Sequence, residues 1–160
     1  MIRLRTQTLI LAPAPLCFDL ARSVDLHQAS AGPIDGRATG GRVSGLAELH
    51  DRTTWSARFF GMRFSLTTQI TQFEPPHRFH DEMCQGLFSC FSHAYTFRSL
   101  GPAQTWLTDD FSFQSPLGPL GAAFDALVLR RKMSQVALWR ARCIRRVAES
   151  QAWRRYLRAT

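Results

Sequence analysis

The sequence predicts an α+β domain in which an antiparallel sheet is covered by one long C-terminal helix. Three observations predict it. Between residues 46 and 114, apolar and polar residues alternate in long runs separated by short turn signals, the period of half-buried strands. From 122 to 160 the chain contains neither Pro nor Gly, the composition of an uninterrupted helix. The 160 residues are 45% hydrophobic and 20% charged, which suits one globular core rather than a disordered chain. No apolar run approaches the roughly 20 residues of a membrane-spanning helix. A single domain over 1–160 is therefore expected, with 148–160 as a basic helical extension.

The chain opens on a strand near 2–11, with Ile2, Leu4, Thr6, Thr8 and Ile10 on one face and Arg3, Arg5 and Gln7 on the other. Ala12-Pro13-Ala14-Pro15 breaks it. Pro15 fits the first turn of a short helix reaching Arg22, where its missing N–H costs nothing. Ser23 then caps a second short helix from Val24 to about Ala29. Residues 31–36 are a loop by composition, and Gly40, Gly41 and Gly45 weaken the assignment of a strand between them. Strands follow near 46–60, 63–73, 78–86, 88–98 and 104–114. Gly61, Glu74-Pro75-Pro76, Gly86 and Leu100-Gly101-Pro102 supply the turns of this meander. Pro116 to Gly121 ends the last strand. The helix beyond carries apolar residues at Leu120, Phe124, Leu127, Val128, Val136, Trp139, Cys143 and Val147, interrupted at Arg131 and Lys132. A sheet followed by a helix on one of its faces is an α+β plan.

The net charge of +8 is unevenly placed. Residues 1–129 hold ten Arg against eleven Asp and Glu, whereas 130–160 hold nine Arg and one Lys against Glu149 alone. Arg130, Arg131, Lys132, Arg140, Arg142, Arg145, Arg146, Arg154 and Arg155 are spread around the helix, as on a solvated surface. Docking of residues 130–158 on an anionic membrane is the alternative. Nucleic acid is disfavoured, because no aromatic residues interleave the basic ones in a known binding module. Cys17, Cys84, Cys90 and Cys143 form no CxxC pair, so reduced, buried thiols in a cytoplasmic protein are expected. His27, His50, His77 and His80 show no HxH or HExxH spacing, and there is no GxGxxG, P-loop or GxSxG. Neither a metal nor a cofactor is expected.

The element order and several segments resemble the START-like (SRPBCC) superfamily, which includes polyketide cyclases/dehydrases and many lipid-binding proteins. The segments are Ala12-Pro13-Ala14-Pro15-Leu16-Cys17-Phe18-Asp19-Leu20-Ala21, Thr54-Trp55-Ser56-Ala57-Arg58-Phe59-Phe60-Gly61 and Phe73-Glu74-Pro75-Pro76. To these are added Phe79-His80-Asp81-Glu82-Met83, His93-Ala94-Tyr95-Thr96-Phe97 and Ser115 to Gly121, so the likeness spans nearly the whole chain. The resemblance implies a helix-grip fold: a curved sheet gripping the C-terminal helix, with an elongated cavity between them for a hydrophobic small molecule. Binders, transporters and enzymes share that framework, so the fold does not choose among them.

Alternation along each strand gives the inward face. It holds Trp55, Ala57 and Phe59, then Phe64, Leu66, Thr68 and Ile70, then Phe79, Asp81 and Met83. Phe91, His93, Tyr95 and Phe97 follow, then Leu107, Asp109, Phe111 and Phe113, and the helix adds Phe124 and Leu127. Of these, the candidate ligand contacts are Trp55, Phe59, Phe64, Leu66, Asp81, Met83, Phe91, His93, Tyr95, Asp109, Phe111, Phe124 and Leu127. Asp81, His93 and Asp109 on an apolar face must find partners. His93 between two carboxylates is therefore expected to form a polar cluster. Three roles stay open for it: internal pairing that stabilises the sheet, orientation of a ligand's polar end, or general acid/base catalysis by His93, Asp81 or Asp109. Binding of a lipid or polyketide-like molecule is the leading function. The alternative is a cyclase or dehydratase that works by holding a reactive chain in a folded conformation.

Overall fold

The computed structural model describes residues 1–59, 61–116 and 118–157. Strand β1 (Ile2–Ile10) alternates partly buried and exposed positions along its whole length, with Ile10 fully enclosed. Helix α1 (Ala14–Ala21) follows Pro13 in extended backbone and carries a proline in its first turn. Helix α2 (Val24–Ala29) is capped by Ser23, whose Oγ accepts the Leu26 N–H at 3.3 Å. These three elements fall where the residue pattern places them.

Six more strands follow: β2 (Arg37–Gly41), β3 (Arg52–Phe59), β4 (Met62–Glu74), β5 (Arg78–Gln85), β6 (Cys90–Gly101) and β7 (Gln104–Gln114). With β1 they form a curved antiparallel sheet ordered β1-β7-β6-β5-β4-β3-β2. Strand β2 forms where the glycines left the strand assignment weak. It is an edge strand, and its register against β3 shifts between Ala38 and Gly40. At Gly41 the backbone takes φ 67°. A Cβ there would stand 2.1 Å from the Arg52 carbonyl oxygen, so the glycine permits the bulge rather than preventing the strand. Residues 46–51, expected to begin β3, instead form a turn. The Asp51 carboxylate holds it by accepting the Glu48 N–H at 2.8 Å and pairing with the Arg42 guanidinium.

The C-terminal helix also departs from expectation. It consists of α3 (Gly118–Phe124), a π-helical turn (Asp125–Leu129) and α4 (Arg130–Ala148). Asp125 is 2% exposed, and its carboxylate accepts both the backbone N–H of Ser115, at 2.9 Å, and the Ser115 hydroxyl. That anchorage gives the inward position to Asp125 and shifts the buried face by one residue. Gly121, Asp125, Leu129 and Met133 face the interior, while Leu120 and Leu127 are each 80% exposed. Beyond the turn the buried stripe runs Val136, Ala137, Arg140, Ala141, Cys143, Ile144, Val147 and Ala148. Trp139 lies on the outer side. The helix stops at Ala148, and within the basic extension expected over 148–160 Gln151–Arg155 form a short 3₁₀ helix, while 158–160 lie outside the described residues. Around it Trp153, Tyr156 and Leu157 pack back against the core.

The apolar interior forms two clusters. The larger centres on Phe18 of α1, whose ring meets those of Phe73, Phe79 and Phe97 at 5.4–5.6 Å. The smaller joins Phe111 and Phe113 of β7 to Leu129 and Met133 of the helix. Among the described residues, no helix is long and apolar enough to cross a membrane. No cysteine among them is in a disulfide: Cys17 and Cys143 are buried, whereas Cys84, against expectation, is exposed.

Candidate functional site

Between the sheet and the C-terminal helix lies a cavity of about 430 Å³, within the range of small-molecule sites. The strands present alternate residues to it, as their pleat requires. Trp55, Ala57 and Phe59 come from β3, Phe64, Leu66 and Thr68 from β4, Asp81 from β5, Phe91 and His93 from β6, and Phe111 from β7. Phe124, Leu129, Met133, Val136, Ala137 and Arg140 close it from the helix, and His27 enters from α2. The wall is largely aromatic and aliphatic, and its ionisable groups, His27, Asp81, His93 and Arg140, come from α2, β5, β6 and α4.

His93 Nε2 lies 2.6 Å from Asp109 Oδ1, and both residues are buried. The imidazole sits between the rings of Tyr95 and Phe111, 4.2 and 5.0 Å from their centroids. The second carboxylate oxygen of Asp109 has no hydrogen-bond partner among the described residues. Asp81 faces His93 directly across the β5–β6 ladder. Burial pushes its carboxyl up to about 6, against the pull of the Thr68 hydroxyl and of the nearby His93 and Arg140. The expected cluster thus exists, with one correction: the hydrogen bond of His93 runs to Asp109 alone, and Asp81 stands beside the pair as a separate acid.

Arg140 carries the larger correction. It is 8% exposed and projects from the inward stripe of α4 rather than a solvated surface. Nη1 donates to Tyr95 Oη at 3.2 Å, Nη2 contacts His27 Nε2 at 2.5 Å, and Nε is buried without a partner. A guanidinium has only donors and does not lose its proton. His27 Nε2 must therefore accept, and the imidazole is neutral with its proton on Nδ1. Burial first, then Arg140 and His93, hold the His27 pKa well below its ordinary value. The His27 ring stacks on Trp55 at 4.1 Å.

Of the residues expected to contact a ligand, Trp55, Phe59, Phe64, Leu66, Asp81, Phe91, His93, Phe111 and Phe124 border the cavity. Four do not. Tyr95 is buried in the wall, stacked on Phe79 and holding Arg140. Asp109 lies behind His93. Met83 sits toward the end of β5, where its sulfur packs over Gly86. Leu127 points outward because of the π turn. His27, Leu129, Met133 and Arg140 were not anticipated, and Thr68, expected on the inward face, was not among the expected contacts. For Arg140 a signal existed: it lies four residues after Val136 and four before Ile144, within an apolar 3–4 stripe.

A sheet wrapped around a terminal helix, with an aromatic cavity between them, defines a helix-grip protein. The family model described as "Polyketide cyclase / dehydrase and lipid transport" matches residues 22–140, and the chain belongs to that family within the START-like superfamily. Solved structures agree on the fold. A protein of Thermus thermophilus is 14% identical with a TM-score of 0.73, over 91% of this chain and 95% of its own. A START superfamily protein of Mycobacterium smegmatis is 12% identical, with a TM-score of 0.68 over 92% and 97%. The di-domain aromatase/cyclase StfQ of the steffimycin biosynthetic pathway is 19% identical, with a TM-score of 0.63 over 95% of this chain and 46% of its own. No curated protein sequence matches significantly.

Proposed function

We propose that this chain binds a hydrophobic small molecule, a lipid or a polyketide-like compound, in the cavity between sheet and C-terminal helix. The observation that carries this reading is the cavity itself. A space of about 430 Å³ framed by Trp55, Phe59, Phe64, Phe91 and Phe111 is left open beside the packed cluster around Phe18. Filling it with an apolar molecule removes that surface from water, at about 25 cal/mol per Å². Native mass spectrometry of protein purified without denaturation tests the reading. An added mass that extracts into organic solvent is the expected result, and apoprotein that also ignores added hydrophobic probes contradicts it.

A second reading, cyclase or dehydratase, draws on one feature. Asp81, raised to about 6, faces the cavity beside a buried His–Asp pair, which provides an acid able to exchange a proton near neutral pH. The fold would contribute by confining a flexible chain. Turnover of a poly-β-ketone substrate that is lost in Asp81→Asn, with substrate affinity retained, would establish this reading. Binding without turnover leaves the first.

A further inference from the structure

We infer that the molecule held in the cavity carries an oxyanion, a carboxylate or phosphate, and that the Arg140 guanidinium binds it. This rests on the reading of the cavity as a hydrophobic ligand site and specifies which class of ligand it takes: an amphipathic acid whose tail lies along the aromatic wall.

Arg140 is a buried cation of the site, and among the described residues no carboxylate is paired with it directly, although Asp81 lies near enough to feel its charge. The two hydrogen-bonding partners of Arg140, Tyr95 Oη and His27 Nε2, are neutral acceptors. Among the described residues, no carboxylate oxygen lies within 4.0 Å of its nitrogens. Other buried or part-buried ionic groups are differently served: Arg22 pairs with Asp19, and Asp109 with His93. Taking a charge out of water without a counter-ion costs several kcal/mol. A helix position between Val136 and Ile144 would hold Leu or Met without that cost.

The placement suits a ligand instead. The guanidinium borders the cavity with Ala137, Val136 and His27. Tyr95 fixes one arm and His27 the other, and His27 is itself held by its stack on Trp55. A guanidinium fixed in this way presents its remaining N–H groups in the planar fork that fits a carboxylate or phosphate. A neutral carbonyl would meet the hydrogen bonds but leave the charge, and a cationic head would be repelled.

The test compares decanoate, decanol and decyltrimethylammonium as competitors of the uncharged dye Nile red, at about pH 7.5, where a carboxylic acid is ionised. The wild-type protein is expected to bind decanoate at least about tenfold more tightly than decanol, and decyltrimethylammonium weakest. Arg140→Gln should abolish the preference by weakening decanoate while leaving decanol within about twofold, and Arg140→Lys should keep part of it. Equal affinity of the wild type for decanoate and decanol, with both displacing the dye, overturns the anion assignment and leaves the cavity reading standing. Failure of the dye and all three competitors to bind overturns both. The wild-type comparison decides the matter even if the glutamine variant does not fold.

Discussion

Arg140 Nη2 donates to His27 Nε2 at 2.5 Å across the gap between α4 and α2, and this one contact sets the tautomer of the imidazole. A histidine whose folded pKa lies below its ordinary 6.5 contributes stability that is present above that pH and is lost as acidification protonates the unfolded chain. His27→Gln should therefore flatten the loss of stability as the pH falls below about 6.5. Denaturant midpoints across that range check it. ¹⁵N spectra of the wild type should show the Nδ1–H tautomer below pH 6. Titration of His27 at its ordinary value would contradict the assignment.

Asp81 works in the opposite direction. Its carboxyl is raised from 3.8 to about 6. Relative to a permanently ionised group, its contribution to stability is complete below the unfolded value and disappears as the pH rises through the folded one. Asn mimics the protonated form. Asp81→Asn should match the wild type near pH 3.5 and exceed it at pH 8, by at most about 3 kcal/mol. Equal stability of the two proteins at pH 8 would sink the claim that Asp81 is held in a desolvated wall.

His93→Ala removes the partner of a buried carboxylate, since Asp109 Oδ1 bonds to His93 and Oδ2 has no hydrogen-bond partner among the described residues. A loss of about 3 kcal/mol by chemical denaturation is expected. His93→Gln, which retains a donor, should lose less. If melting falls while affinity for a hydrophobic probe is unchanged, the pair is structural and has no part in orienting ligand.

Gly41→Ala should be among the most costly single substitutions on the surface of the sheet. The φ of 67° and the 2.1 Å approach to the Arg52 carbonyl leave no room for a methyl group. A loss of about 2 kcal/mol or more by thermal melting is expected. A neutral effect would mean that the β2 bulge is not formed in solution.

Much of the frame was legible from residue patterns alone. The alternation of Ile2 to Ile10, the Ser23 cap and the run 104–114 each rest on local chemistry that tertiary contacts do not override. Inward residues such as Trp55, His93 and Phe111 follow from a two-residue period. The helix face was not legible N-terminal to Arg130, because a side-chain contact remote in sequence, Ser115 to Asp125, decides where the π turn falls and exposes Leu127. Arg140 was hidden for a related reason. Among many helical arginines, its burial depends on what Tyr95 and His27 bring to meet it. Strand β2 was only weakly signalled because glycine opposes strands in general yet is required at this bulge.

The most direct measurement is a Nile red titration of the wild type beside Ala137→Phe. Ala137 is buried on α4 and borders the cavity, so an added ring occupies the proposed ligand space. Saturable binding at one site per chain in the wild type is predicted, weakened at least about tenfold in the variant with its melting temperature retained. Undiminished binding by a folded Ala137→Phe, or none by the wild type, would contradict the account.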